Sequence, residues 1–231
     1  MQLDGITLAN CDSFKYLGSL FHRDGGCAAD VIHRIGLGWI KFRSVIGILC
    51  DSKIPIKLKR KIYQTTVRSA ITYGSECWTM HNSYTKQLET AEMRMLRWSA
   101  GVILKYKIRS SCIRGSLGVT DINSKLEERQ LRWYRHIRWR PSDHTVKHAM
   151  SMELHRQSSR GRLKNSWMTQ CSKILQRNGQ DEGDTQNRIG YNLRTRRDDL
   201  NKGPFIIIFG MVTDIVLAIR TNKEVQKNID R

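Results

Sequence analysis

Apolar residues in the first 27 positions come in short runs broken by turn formers. Gln2-Leu3 and Ile6-Thr7 flank Asp4-Gly5, the composition of a two-residue hairpin turn. Phe14 to Phe21 reads as a third strand, followed by the Gly-rich turn Asp24-Gly25-Gly26. Within it Phe14 and Leu17 are expected as core of the hairpin. A three-stranded piece this small needs something to pack on.

From Ala28 the period lengthens to that of a helix. Val31, Ile35, Trp39 and Phe42 recur near i, i+4, i+8 and i+11, with Arg34, Lys41 and Arg43 off that face. Pro55 opens a second helix whose inner stripe is Leu58, Ile62, Thr65/Thr66 and Ala70, with Lys57, Lys59, Arg60, Lys61 and Arg68 elsewhere. A third covers Ser83 to Ala100, with Leu88, Ala91/Glu92, Met95 and Trp98/Ser99 in step and Gly101 as its stop. Gly115 to Gly118 reads as a turn. A fourth helix runs from a cap at Asp121 or Asn123 to Trp139, with Leu126, Trp133/Tyr134 and Ile137 on its apolar side. Pro141 breaks it, and a short helix covers Trp167 to Leu175.

The pattern therefore predicts an α+β chain that is mainly α. A small N-terminal β-hairpin or three-stranded piece (1–27) precedes a bundle of helices (28–140) and a basic segment with a short helix (141–177). Residues 178–203, rich in Gly, Asn, Asp, Gln and Arg, read as linker or disorder, and 204–231 as an apolar helix or tail.

Charge narrows the function. Across 231 residues, 40 Lys and Arg stand against 21 Asp and Glu, a net charge of +19. Mean hydropathy is −0.50 and the pI about 10.1. That balance favours a polyanionic partner, nucleic acid before an anionic membrane surface. The six cysteines form no CxxC, so no zinc knuckle is legible and reduced thiols in the nucleus or cytoplasm are expected. The start of the chain shows no signal peptide. Residues 204–219 are short for a membrane span and carry Asp214, which leaves a tail-anchored membrane protein as a rival reading.

Arg129, Arg132, Arg135 and Arg138, spaced by three on the fourth helix, make a broad basic side with Trp133, Tyr134 and Trp139 interleaved to stack on unpaired bases. The alternative is a solvated face with its aromatics in the core. Arg34 is a further candidate contact, and Arg160, Arg162 and Lys164 form a basic phosphate-binding patch near Arg156. His144 and His148 have two-ligand spacing, but third and fourth ligands are missing, so no metal site is assigned. No cofactor and no small-molecule substrate is expected. Polymerase chemistry needs paired carboxylates for two metal ions. The sole Asp-Asp pair, Asp198-Asp199, lies in a polar stretch without flanking strands, so no catalytic residue is assigned and no enzymatic activity is expected.

Several runs resemble one family. Phe14-Lys15-Tyr16-Leu17-Gly18-Ser19 with Asp24-Gly25-Gly26-Cys27, Ile32 to Trp39, Val67 to Trp78, Leu88 to Arg97, Leu131 to Ile137 and Gly161 to Trp167 stand in the order of matching blocks in non-LTR (LINE-type) retrotransposon reverse transcriptases. The resemblance covers roughly residues 3–175. Ser69 stands where the family usually has Pro, Arg135 where it has Gly, and Leu163 and Asn165-Ser166 interrupt its basic block. The resemblance implies a primer grip at 1–27, with Lys15 and Tyr16 against the primer's last phosphates and sugars. It implies thumb-like helices that track a DNA or RNA–DNA duplex without reading its sequence. It also implies a chain that begins downstream of the family's catalytic aspartates. The expected function is a truncated reverse-transcriptase-like protein that retains at most non-specific template–primer binding. A co-opted non-enzymatic binding module is the other alternative.

Overall fold

Two acid–arginine clusters, each buried, organise the chain. A computed structural model describes residues 2–3, 6–7, 11–22, 26–147, 166–180, 183, 190–191 and 195–196. The predicted basic block with Arg160, Arg162 and Lys164, most of the predicted linker, and the apolar run 204–219 lie outside the described residues. Among the described residues no helix is long and apolar enough to cross a membrane.

Four short strands open the chain, one more than the pattern predicts, and helices follow as the periodicity predicts. β1 (Gln2–Leu3) pairs antiparallel with β2 (Ile6–Thr7) across Asp4-Gly5. β3 (Ser13–Tyr16) pairs antiparallel with β4 (Ser19–His22), with Phe14 opposite Phe21. The helices are α1 (Ala28–Ser44), α2 (Ile46–Cys50), α3 (Ile56–Ile62), α4 (Ser69–Ile71), α5 (Asn82–Ser99), α6 (Ser110–Leu117), α7 (Ile122–Trp139) and α8 (Trp167–Arg177). The described parts of 1–37, 71–85 and 126–196 form one compact unit, and those of 38–70 and 86–125 belong to the other.

Four expectations are corrected. The run Phe14–Phe21 is a hairpin of its own and not one strand, because Leu17 and Gly18 turn the chain with φ of +46° and +83°. Positive φ at both turn positions matches the right-handed twist of the flanking strands. Phe14 and Leu17 are not core: they are 53% and 75% exposed. In the second helix the buried positions are Lys59, Tyr63, Val67, Arg68 and Ile71, while Leu58 is exposed. A π-helical stretch, Tyr63–Arg68, joins α3 to α4. Its wider i→i+5 turn rotates the faces that follow it relative to a continuous α-helix. Finally, Gly115–Leu117 is the last part of α6, and only Gly118 turns, left-handed with φ +64°. A short helix rich in Ser and Gly has weak local propensity, and burial of Ile113 and Leu117 holds it.

In the first unit α1 carries Asp30 and Arg34 one turn apart, both inside. Asp30 Oδ1 accepts the Leu20 N–H at 3.0 Å and Oδ2 accepts the Trp78 indole N–H at 2.9 Å. Arg34 Nη2 donates to the Gly18 carbonyl at 2.6 Å and to Ser19 Oγ at 3.1 Å. Its guanidinium lies 4.3 Å over the Tyr73 ring, and the Tyr73 hydroxyl donates to the Leu17 carbonyl at 3.0 Å. Both carbonyls of the unusual turn are thus held from outside the hairpin. Gly74 closes the arrangement: at φ +73°, a Cβ there would lie 2.7 Å from Ser19 Oγ. Buried Gln130 on α7 ties in through its amide N–H to the Trp78 carbonyl at 2.8 Å. Beside Gln130 on the buried face of α7, Leu131 and Tyr134 pack with Cys171, Ile174, Leu175 and Tyr191.

The second unit repeats the theme. Glu92 on α5 has no exposed surface. Arg68 Nη2 lies 2.6 Å from its Oε1, the Tyr63 hydroxyl donates to the same oxygen at 3.1 Å, and Arg114 Nε stands 3.6 Å from Oε2. Arg114 also pairs with Asp121 at 2.9 Å, and Arg68 donates to the Thr120 carbonyl. Burial and the neighbouring Glu92 charge push the Tyr63 phenol well above its ordinary range, so it stays a donor. Asp121 caps α7 as predicted, accepting the N–H groups of Asn123 and Ser124.

Removing one member of a buried pair leaves an uncompensated charge. Asp30→Ala is expected to cost about 3–5 kcal/mol in urea unfolding. The double variant Asp30→Leu, Arg34→Met is expected to lose less than the single one; equal losses in both contradict this account of the cluster.

Candidate nucleic-acid interface

The outward side of α7 follows from its inward side. Leu126, Gln130, Leu131, Tyr134 and Ile137 are buried, which turns Arg132, Arg138 and Trp139 to solvent and leaves Arg129, Trp133, Arg135 and His136 half-buried. The four arginines of the sequence stripe differ in their surroundings. Arg132, two-thirds exposed, is paired with Glu128 one turn back at 2.7 Å. Arg129 lies 3.7 Å from Glu76, a longer ion pair. Arg135 Nε is buried and has no hydrogen-bond partner among the described residues.

Arg129, Arg132, Trp133, Arg135 and His136 line an open pocket of about 350 Å³ together with Glu76. Glu76 comes from a 3-10 turn, Ser75–Cys77, a few residues after Tyr73 and Gly74. The segment that braces the hairpin turn thus also supplies a pocket wall. Trp167 Nε1–H donates to the Glu76 carbonyl at 2.7 Å and fixes that wall. The Trp133 indole lies nearly parallel to the His136 ring, 5.2 Å between centroids and 20° or so of tilt (21°).

His136 is held neutral. Arg140 Nη2 sits 3.1 Å from His136 Nε2, and a guanidinium can only donate, so Nε2 is the acceptor and Nδ1 carries the proton. Burial first, then the charges of Arg140, Arg135 and His144, lower its pKa from the ordinary value of 6.5.

The other sequence candidates separate. Lys15 and Tyr16 are exposed on β3, where Phe14 stacks on Phe21 at 5.4 Å and Tyr16 meets Phe21 edge-on at 6.4 Å. Arg34 is not available to a polyanion: it is 5% exposed and bonded to the hairpin turn, because α1 buries the face that carries Asp30. Tyr134 is core and drops out of the stacking set, leaving Trp133 and Trp139. Arg160, Arg162 and Lys164 lie outside the described residues. Among the described residues no three His, Cys, Asp or Glu side chains gather to hold a metal. Cys171 is buried with its thiol pushed up to about 12, an inert core group. Sequence reasoning missed Glu76 and weighed His136 only as a metal ligand. Glu76 is some fifty positions away from α7, and no periodicity connects them.

His136 should titrate below 6.5 in an NMR pH series on the full chain, adding positive charge to this face only in acid. Arg140→Leu is expected to move the midpoint up. A midpoint at or above the ordinary value in the unmodified chain contradicts the assigned hydrogen bond.

No family model matches the chain, and the search of solved structures found no significant match. Among curated proteins, an uncharacterized transposon-derived protein of Caenorhabditis elegans is 24% identical over 143 residues, 59% of this chain and 48% of its own length. The chain spans about half the length of that relative, of which it is a partial homologue.

Proposed function

We propose that this chain derives from the C-terminal part of a non-LTR retrotransposon reverse transcriptase and acts as a non-specific nucleic-acid-binding protein without polymerase activity. The observation that carries the reading is the α7 face, where exposed and half-buried arginines stand beside aromatic rings in a chain of net charge +19. Cations on one side of a helix contact phosphates without reading bases, so the favoured partner is a DNA or RNA–DNA duplex bound through its backbone. The ordered family-like runs and the partial homologue named as transposon-derived support the origin. Absence of polymerase activity is proposed because the sequence holds no Tyr/Phe-Ala-Asp-Asp turn.

Full-length protein should bind a labelled B-form duplex with a log–log salt slope of about −4.5, for ~5 phosphate contacts. Arg132→Ser with Arg138→Ser should reduce the magnitude of that slope by about 2. The protein should not extend a primer on an RNA template in magnesium. No duplex binding at low salt sinks the binding reading, and primer extension sinks the non-catalytic one.

A further inference from the structure

The α7 pocket does more than a phosphate-tracking face requires. Such a face needs only exposed cations, because the duplex presents its phosphates on a convex surface. Here three arginines converge on a concavity of about 350 Å³. That lies in the size range of small-ligand sites. Its wall includes the Trp133 ring, stacked with His136 in a nearly parallel pair. The exposed indole of α7, Trp139, is not among the lining residues.

The charges in the pocket are not equivalent. Glu76 faces Arg129 and Glu128 pairs with Arg132, so acidic groups already engage those two cations. Arg135 is different, since its buried Nε donates to nothing among the described residues. The pocket therefore combines an aromatic ring, an arginine that no acid among the described residues engages and a volume too small for a duplex. In the polyanions that the net charge favours, the unit that joins a flat ring to a phosphate at that scale is the nucleotide. We propose that this pocket holds one unpaired nucleotide of a polynucleotide, its base stacked on Trp133 and its phosphate at Arg135, so that the protein favours strand ends and overhangs over blunt duplex.

This rests on the nucleic-acid-binding reading and adds to it a preference that phosphate contacts alone do not produce. Base–aromatic stacking is worth roughly tenfold in affinity for a single base. Three labelled probes test it on the full-length chain: a blunt DNA duplex, the same duplex with a short single-stranded overhang, and that overhang made abasic. The overhang should bind roughly tenfold tighter than the blunt duplex. The abasic overhang keeps the phosphates but offers no ring, and should bind close to the blunt level. Trp133→Leu should bring the overhang-to-blunt ratio toward one, Trp133→Phe should hold it, and Trp139→Leu should leave it in place.

A wild-type ratio near one, or an abasic overhang that binds as tightly as the base-bearing one, overturns the proposal while duplex binding stands. A ratio unmoved by Trp133→Leu also overturns it. Failure to bind every probe at low salt removes the binding reading itself. The abasic comparison uses the unmodified protein, so it decides the matter even if Trp133→Leu does not fold.

Discussion

Arg34 can hold the β3–β4 turn only because Asp30 holds Arg34. The two groups sit one helical turn apart on α1, both buried, and between them they bind the Gly18 carbonyl, the Leu20 N–H and the Trp78 indole. A turn with Leu at φ +46° is unfavourable for a residue with a Cβ, so it needs partners outside the hairpin. Tyr73 and Arg34 supply them. The same segment continues through Gly74, which has no room for a side chain, to Glu76 on the pocket wall. The geometry of the surface site in this unit thus rests on a buried ion pair. Glu92 with Arg68 and Arg114 plays the equivalent part in the other unit.

This changes the meaning of the family-like runs. Leu17-Gly18-Ser19, Arg34 and Tyr73-Gly74 come from three runs far apart in sequence, and in the structure they meet at one turn. Arg68 and Glu92 come from two of these runs and meet as a buried pair. Much of what makes these runs recognisable is therefore architecture. The arginines divide accordingly. Arg34, Arg68 and Arg114 neutralise buried acids, and those of α7 face outward or line the pocket.

Legibility in the sequence follows the same division. Helices with a strong 3.6-residue period and ordinary caps were legible: α1 with Val31 and Phe42 inside, α5 with Leu88 and Met95, α7 with its Asp121 cap. Features set by distant partners were not. The Leu17-Gly18 turn lacks the Asn-Gly signature because Arg34 and Tyr73 enforce it from elsewhere in the chain. In the second helix the buried face falls on Lys59 and Tyr63, one residue on from the stripe of Leu58 and Ile62, because an apolar count does not anticipate a buried lysine. At the candidate site the α7 stripe was legible from spacing. A charge count could not show that Arg34 is buried, that Tyr134 is core, or that Glu76 joins the pocket.

The central claim is that buried arginines build the fold and those of α7 meet the polyanion. The most direct measurement is the set of arginine Nε–Hε resonances of the labelled full-length protein, followed as DNA is added. The account predicts shifts for Arg129, Arg132, Arg135 and Arg138, with Arg34, Arg68 and Arg114 unmoved. Shifts at the buried arginines with the α7 set unchanged would contradict it.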